Sequence, residues 1–275
     1  MDPLDLPEGV KILSHQVAGH IHSATCFGLL ERGNIVLKPV QRFPKGNREL
    51  EFYEAVNNKN QTDQVFIDIR KFVPKFYGIE YIPISNKNAK YMRLEDITKV
   101  FDRPCITDLK IGKQTFNPLA NPDKIIKEKS KYPRLPEVGF QILGMRIYDT
   151  VTNNYVQYDR VYGRSLAPED LGDKGLKLYL TQGNCFRVDV LKEIIKQIKE
   201  IRDFFQNQTK LSFYSSSLLV VYEGNMKAKK QIPNVALVKM IDFAHVFSTQ
   251  EHDENYAFGL EILLKLFTNM LPTKI

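Results

Sequence analysis

The apolar pattern of residues 186–206 constrains the fold of this chain more than any other feature. Its apolar side chains recur at three- and four-residue spacing, which predicts one long helix with a single buried face. They are Val188, Leu191, Ile194, Ile195, Ile198, Ile201 and Phe205. Apolar runs at 216–222 and 235–241 follow this helix and predict buried strands. The chain therefore has to combine helices with strands.

Other patterns predict the remaining elements. Asn47 is the expected N-cap of a helix at 47–57, and Asn121-Pro122-Asp123 is a strong start signal for a helix that ends before Pro133. The segment 94–98 is a candidate crossover between two lobes. We further expect a helix at 255–270 and strands at 34–38, 75–82, 90–94, 139–148 and 155–163.

Composition is typical of a folded soluble protein. The 275 residues are 43% hydrophobic and 26% charged, which suits one or two domains with a sizeable core. Cys26, Cys105 and Cys185 are widely spaced, so neither a disulfide framework nor a structural zinc site is expected. There is no spanning apolar run and no signal-peptide pattern. We therefore expect an intracellular protein, cytoplasmic or nuclear and not secreted.

The formal net charge of +7 suggests an acidic partner, such as nucleic acid, an anionic membrane surface or a phosphorylated small molecule. Residues 110–134 hold seven cations and two anions. Such local clustering favours a compact anion site. A nucleic-acid partner is not expected, because the chain has no aromatic-rich RNA-binding motif.

Three parts of the chain have the residue types that phosphoryl transfer from ATP requires. A cation must hold the phosphates, an acid must hold a metal ion, and a second site must orient the attacking hydroxyl. Lys38 lies at the end of a predicted strand, on the face opposite Leu37, and Glu51 lies in the next helix. This pairing is typical of kinase nucleotide sites. A surface lysine and a solvated glutamate are the alternative for these residues alone.

Asp242 and His245 follow the predicted strand at 235–241. A carboxylate at a strand end can project into a cleft and bind Mg²⁺, which prefers oxygen ligands and substrate phosphates. His245 has a reference pKa near neutrality, so it can handle a hydroxyl proton. A turn aspartate and an ordinary loop histidine are the alternative interpretations.

The third part is the segment 104–112, PCITDLKIG. Asp108 and Lys110 are two residues apart, so in a strand they share a face and can contact a nucleotide and its transferred phosphate. The spacing Pro-x-x-x-Asp-x-Lys-x-Gly resembles the signature of the inositol polyphosphate kinases. Its four fixed positions among nine make the match specific.

The resemblance covers nearly the whole chain. It includes HQVAGH at 15–20, RELEFY at 48–53, LED at 94–96, GF at 139–140, GMR at 144–146, YGRSL at 162–166, SSLL at 216–219 and IDFAH at 241–245. The first and last motifs are most similar to the multikinase branch. The resemblance implies an α+β fold with two lobes, as in a protein kinase. An antiparallel-sheet ATP-binding lobe would comprise 1–96, and a mixed lobe 97–275, with an inserted inositol-phosphate-binding helix near 121–133.

The resemblance also implies the nucleotide contacts. Lys38 would contact the ATP phosphates with Glu51 as its ion-pair partner, and Asp242 would hold Mg²⁺. Asp108 would face the ribose, although a kinase analogy makes it the catalytic base instead. At the hinge, the backbone of Glu95 and Ile97 would meet the adenine, with the Asp96 carboxylate nearby.

On the acceptor side, Lys110 would lie between the γ-phosphate and the inositol, and His245 would face the acceptor hydroxyl. Three lysines at three- and four-residue spacing form one face of the 121–133 helix, where their like charges repel each other and a polyanion would relieve the repulsion. These are Lys124, Lys127 and Lys131. Lys45 and Arg160 match further substrate-contact positions more loosely.

The resemblance implies an ATP- and Mg²⁺-dependent inositol polyphosphate kinase. It would phosphorylate an inositol trisphosphate and tetrakisphosphate toward the pentakisphosphate. The alternatives are a hexakisphosphate kinase that forms a diphosphate and a binding module without catalysis. A phosphoinositide headgroup is an alternative acceptor, and we expect a monomer. A short basic cluster weakly resembles a nuclear-import signal: Lys227, Lys229 and Lys230.

Overall fold

The computed structural model describes residues 6–19, 22–23, 26–84, 87–225 and 234–272. His20 and the lysines at 227, 229 and 230 lie outside these ranges. Two five-stranded antiparallel sheets form the framework, one in each half of the chain. Within the described ranges, every helix is too short or too polar to cross a membrane.

The first sheet has the strand order β1-β2-β3-β5-β4 and is antiparallel throughout. Two helices and a short 3₁₀ segment at Arg70–Phe72 connect β3 to β4. The elements are β1 (Lys11–Ile12), β2 (Leu30–Arg32), β3 (Ile35–Pro39), α1 (Lys45–Asn57), α2 (Gln64–Ile69), β4 (Phe76–Ile84) and β5 (Lys87–Glu95).

The second half builds a sheet with the order β13-β12-β6-β7-β8, together with two short ribbons. Its strands are β6 (Pro104–Ile111), β7 (Phe140–Asp149), β8 (Asn154–Tyr158), β9 (Thr181–Gln182), β10 (Cys185–Phe186), β11 (Leu211–Phe213), β12 (Ser217–Glu223), β13 (Ala236–Ile241) and β14 (Val246–Ser248). Its helices are α3 (Pro122–Lys131), α4 (Leu135–Val138), α5 (Arg160–Ser165), a π-helical segment at Leu171–Lys177, α6 (Val188–Asn207) and α7 (Glu254–Asn269).

The main core joins the two halves of the chain. Helix α6 packs against α7 and β13 through its buried face. Aromatic side chains continue this core into α1, where the ring of Phe52 lies 4.3 Å from that of Phe243. Tyr53 contacts Phe243 edge-on, and Phe213 does the same to Phe52. Helix α1 is therefore fixed to the segment that follows β13.

The structure confirms the predicted α+β class and most elements, including the long helix and the cap of α3, whose Asn121 Oδ1 accepts from Lys124 N at 2.8 Å. The predicted cap at Asn47 is wrong. Helix α1 begins at Lys45, and the backbone N–H of Arg48 already donates to Pro44. The predicted strand at 155–163 ends at Tyr158, because Asp159 caps α5 by accepting two backbone N–H groups.

The buried face of α6 gives the first testable prediction. The side chain of Ile198 is fully buried in the main core, so Ile198→Ala removes apolar contacts and leaves a cavity. We expect the free energy of unfolding to fall by about 2–5 kcal/mol, measured by urea denaturation. Lys199→Ala is the control on the exposed side of the helix and should change stability by less than about 0.5 kcal/mol. Equal effects would contradict this assignment.

Candidate active site

A cleft opens between the two sheets, and residues of both sheets line it. Strands β3, β5, β6, β12 and β13 all contribute to it. Its walls are mainly apolar, and charged residues lie both in the part with Lys38 and in the part with Glu95 and Asp96. The apolar lining includes Leu13, Val17, Leu29, Val36, Leu94, Ile97, Ile106, Leu219 and Ile241, and the charged end has Lys38, Asp108 and Asp242. Such a cleft suits a flat apolar group joined to an anionic one.

At the charged end, the Lys38 ammonium connects two carboxylates from different parts of the chain. Its Nζ donates to Glu49 Oε1 at 2.6 Å and to Asp242 Oδ1 at 2.5 Å. Burial disfavours the charge on Lys38, but the two carboxylates outweigh it and raise the pKa. The lysine is therefore a fixed cation at neutral pH.

The partner of Lys38 is Glu49, and the predicted pairing with Glu51 is wrong. Glu49 is fully buried on the face of α1 that also carries Phe52 and Tyr53, at i+3 and i+4. Glu51 is two residues further on, which places it on the exposed side of the helix. The spacing of Glu49 from the apolar residues could have identified it, because it falls on the same helix face.

Asp242 lies in a strained turn that directs its carboxylate into the cleft. Its φ of +66° is in the left-handed region, which is unfavourable for a residue with a Cβ. Two contacts hold the turn. Ser216 Oγ donates to the carbonyl of Asp242 at 2.7 Å, and the backbone N–H of Phe243 donates to Glu49 Oε1 at 3.0 Å. Strain of this kind persists only where the surroundings fix the conformation.

The protonation state of Asp242 suits a metal ligand. Burial raises the pKa of its carboxyl, but the adjacent Lys38 ammonium dominates and lowers the pKa below its usual value. The side chain is still 42% exposed. An ionised and accessible oxygen donor of this kind fits a hard divalent cation.

Asp108 faces the same cleft from β6. Its Oδ1 is buried and has no hydrogen-bond partner within the described structure. Burial, followed by the negative charge of Asp242, raises the pKa of Asp108 to about 7. The regular pairing of β6 with β12 places Asp108 opposite Leu219 and Lys110 opposite Ser217, so Asp108 and Lys110 share a face as predicted. A cation beside this oxygen would lower the pKa of Asp108 and favour its ionised carboxylate.

Close packing explains why the last residue of the signature motif is a glycine. Gly112 has a φ of +114°, and a Cβ there would lie 2.6 Å from the side-chain amide of Asn255 in α7. The Gly112 N–H donates to the carbonyl of Gly139 at 2.8 Å. Only glycine permits this close approach. The end of the motif, two residues after Lys110, is therefore packed closely against α7.

His245 is neutral at physiological pH. Burial is the main cause that lowers its pKa to about 4, and nearby cations lower it further: Lys124, Lys45, Arg48 and Lys110. Its Nδ1 lies 3.0 Å from Asn117 Nδ2, and the Oδ1 of Asn117 accepts from the backbone N–H of Leu119. Asn117 therefore donates to Nδ1, so the proton is on Nε2. This tautomer favours hydrogen-bond donation to an acceptor molecule over proton abstraction.

The cations around His245 form a second, positively charged region beside the cleft, and Lys110 acts on both. Lys45 comes from the start of α1 and Lys124 from the start of α3, while Lys110 lies on β6 and also acts on Asp242. On the same α3, Lys127 is exposed, and Lys131 forms an ion pair with Glu128 at 2.5 Å. The exposed Arg160 begins α5, which packs beside β7 and β8.

The sequence analysis missed two residues of this region. Arg48 donates to the carbonyl of Ala244 at 3.1 Å, and its guanidinium lies 4.3 Å from the centre of the Phe247 ring. Asn117 orients His245. Neither residue lies close in sequence to its partner, so no local signal identifies either contact.

The opposite end of the cleft has the predicted hinge of Glu95, Asp96 and Ile97, all of which line it. Asp96 and Glu31 lie 3.6 and 3.9 Å from the ring nitrogens of His15. Among the described residues, His15, Glu31 and Asp96 form one group of histidine and acidic side chains that lie close enough together to share a metal ion. The Lys99 ammonium lies 3.3 Å from Glu31 and 3.8 Å from Asp96, so it offsets part of their negative charge. The cluster holds the segment with His15 against the hinge.

Two lobes with a cleft between them, a lysine–glutamate pair in one lobe and a strand-end aspartate from the other define a kinase-like phosphotransferase fold. The family model of inositol polyphosphate kinase matches residues 91–268, so the chain belongs to that family. This confirms the resemblance found in the sequence.

The chain is similar to several multikinases. Over 218 residues it is 44% identical to the inositol polyphosphate multikinase of Homo sapiens, covering 79% of this chain and 52% of that protein. It thus spans about half the length of that relative. Inositol polyphosphate multikinase beta of Arabidopsis thaliana is 26% identical over 96% of this chain and 94% of its own. The S. cerevisiae inositol phosphate multikinase Ipk2, solved with ADP and Mn²⁺, has a TM-score of 0.70 at 26% identity, covering 87% of this chain and 100% of that one.

The corrected ion pair gives a direct test. Glu49→Gln keeps the shape of the side chain but removes the charge that holds Lys38. We expect kcat/KM for ATP to fall by about 10- to 100-fold, because a hydrogen bond to a charged group contributes about 1.5–3 kcal/mol. Glu51→Gln is the matched control on the exposed side of α1. Equal losses in both variants, with both folded by circular dichroism, would contradict the pairing.

The raised pKa of Asp108 gives a pH-dependent prediction. The native state binds the Asp108 proton more tightly than the unfolded state, so stability from this group is present at low pH and lost as pH rises toward about 7. Between about pH 4 and 7, the wild type should lose unfolding free energy relative to Asp108→Asn, by about 1.4 kcal/mol for each unit of pKa shift.

Urea denaturation across this pH range measures the effect. Asp253, whose pKa is also raised to about 6 by burial, is common to both proteins and cancels in the difference. Asp173→Asn alters an exposed carboxylate and should run parallel to the wild type. A difference between wild type and Asp108→Asn that does not change with pH would contradict the raised pKa.

Proposed function

We propose that this chain transfers the γ-phosphoryl group of ATP to free hydroxyls of an inositol trisphosphate and then a tetrakisphosphate, toward the pentakisphosphate. The observation that carries the proposal is the Lys38 ammonium held between Glu49 and Asp242, next to a cation pocket around a neutral histidine. The charges of Lys38 and Asp242 suit a nucleotide with a metal ion. The cations around His245 suit a compact polyanion.

The residues of the cleft position the nucleotide. The apolar walls accept the adenine, and the hinge backbone at Glu95 and Ile97 offers its hydrogen-bonding groups. Lys38 binds the phosphates as a fixed cation, and Asp108 faces the ribose or the phosphate end. A lysine already held by two carboxylates needs no reorganisation when phosphate arrives, which is the condition for effective electrostatic stabilisation.

The acceptor pocket orients the attacking hydroxyl. Lys110 lies between the two sites, so it can stabilise charge on the phosphoryl group during transfer. His245 donates through Nε2–H to an acceptor oxygen. Lys45, Lys124 and the exposed lysines of α3 neutralise the phosphates already on the ring. The ring oxygen bonds to Pγ in line as the Pγ–O bond to ADP breaks, and the hydroxyl proton passes to a phosphate oxygen or to water. The step then depends mainly on positioning and charge, as is usual for phosphoryl transfer.

We expect Mg²⁺ as the divalent ion, with the accessible carboxylate of Asp242 as its protein ligand. When bound, such an ion neutralises charge on the β- and γ-phosphate oxygens. The donor set fits, because carboxylate and phosphate oxygens are the ligands that Mg²⁺ prefers. The orphaned oxygen of Asp108 lies in the same charged end of the cleft.

Transfer of radiolabelled phosphate from ATP to inositol trisphosphate tests the proposal. Asp242→Asn should lower kcat by at least about 100-fold, because it removes the ligand and the partner of Lys38. Asp173→Asn is the control, since its exposed carboxylate lies outside the cleft, and it should retain activity. Full turnover by Asp242→Asn would contradict the metal role. Hexakisphosphate that outcompetes trisphosphate as the acceptor would favour a hexakisphosphate kinase instead.

A further inference from the structure

Residues 13–18, which we call the strap, connect the two halves of the chain at a second place besides the hinge. The strap begins on the first sheet, where the Leu13 N–H donates to the carbonyl of Leu29 at 3.2 Å and so extends the pairing of β1 with β2. It continues to the second sheet, where Val17 packs against the apolar cluster that includes Ile106 of β6. One short segment thus contacts both sheets.

The strap lies on β7 at a position that has room only for glycine. A Cβ added to Gly144 would be 2.0 Å from the carbonyl oxygen of Val17, which is closer than any real side chain approaches. A glycine inside a strand often marks such a close approach of another backbone. Gly144 is paired with Asp108, so the strap crosses the second sheet beside the strand that carries Asp108.

His15 fixes the strap to the hinge through a chain of hydrogen bonds. Its Nε2 lies 3.1 Å from Thr98 Oγ1, which donates its own proton to Asp96 Oδ1 at 2.6 Å. Because the single hydroxyl proton is directed to Asp96, the Nε2 of His15 is the donor to Thr98. Asp96 Oδ1 also accepts from the Thr98 N–H at 3.0 Å. The strap and the hinge therefore share one hydrogen-bond network.

The strap forms part of the wall of the cleft. Five of its six residues line the cleft: Leu13, His15, Gln16, Val17 and Ala18. All of the hinge residues 94–98 line it as well. Since His15 bonds to Thr98, and Val17 packs against the cluster that contains Ile97, the strap lies at the hinge end of the cleft.

A packing role alone would bury the apolar side chains of the strap. Val17 and Ala18 are only half-buried, and both line the cleft. A flat apolar group bound there would cover surface that the free protein leaves open to water, which is favourable. The strap is thus suited to contact a nucleotide base.

We propose that the strap is the wall of the cleft that covers the base of a bound nucleotide, and that His15 and Gly144 are positioning residues that hold it in place. The inference rests on the proposed use of ATP. A contact with the base is made equally before and during phosphoryl transfer, so the strap should set nucleotide affinity and leave turnover unchanged. It should not act on a ligand that has phosphates but no base.

Binding of ADP, measured by titration calorimetry without an acceptor, tests the contact on β7. Gly144→Ala forces the Val17 carbonyl away from the sheet and should raise the Kd for ADP by about tenfold or more. Gly172→Ala is the matched control, because a Cβ there would lie at an ordinary 3.8 Å from Met270 and Gly172 does not line the cleft. Its Kd should equal that of the wild type.

Two substitutions of His15 with opposite expected outcomes test the contact with the hinge. His15→Leu removes the bond to Thr98 and should raise KM for ATP by about tenfold while kcat stays within about twofold of the wild type. His15→Gln keeps an Nε2 donor and should restore most of the affinity. His252→Ala alters an exposed histidine before α7 and should change neither constant.

Inorganic tripolyphosphate with Mg²⁺ separates the strap from the phosphate end of the cleft. Because it has no base, its Kd should be the same in the wild type, Gly144→Ala and His15→Leu. An equal loss of ADP and tripolyphosphate binding in the two variants would indicate a general disturbance of the cleft and overturn the proposal.

The remaining outcomes separate the strap from the proposed function. Unchanged ADP binding by both Gly144→Ala and His15→Leu would overturn the strap alone. Weakened ADP binding in these variants, together with no phosphate transfer to inositol trisphosphate by the wild type, would contradict only the proposed acceptor. Failure of the wild type to bind ADP would contradict both.

Discussion

The Lys38 ammonium brings together charged groups from three separate elements of the fold. Lys38 comes from the first sheet, Glu49 from the helix that follows it, and Asp242 from the end of the last long strand. A buried charge is costly unless it is paired, so this triad can form only when both lobes are in place. The aromatic contacts between α1 and Phe243 fix the same junction. The charged end of the cleft, with Lys38, Glu49 and Asp242, therefore depends on the whole fold.

The sequence predicted those features that depend on periodicity or on a fixed spacing. The long helix, the strand faces of Lys38 and Asp108, and the strand end at Asp242 all follow from such patterns. It failed where a choice depended on tertiary contacts. Glu49 and Glu51 are equally acidic, and only the packing of α1 shows which one is buried. The environment of His245 could not be predicted either, because the cations around it come from three separate segments, α1, β6 and α3.

The pKa of Asp108 and the pKa of His245 are shifted in opposite directions. In the cleft, burial and the charge of Asp242 favour a protonated Asp108 until a cation arrives. In the acceptor pocket, burial and four cations keep His245 neutral, and an anion there would ease its protonation. The carboxylates of the cleft therefore favour a metal ion, and the cations around His245 favour a polyanion. In the free protein, binding of each of these two charges would relieve a like-charge repulsion.

The lack of buried side chains in α3 has a consequence for how such proteins change over generations. A substitution on a helix that supports no core costs the rest of the fold little stability. Cations can thus be gained or lost along it while the catalytic junction at Lys38 stays intact. Under the proposed function, preference among related polyanions can therefore change by small steps, because the helix proposed to bind the acceptor contributes no buried side chain to the core.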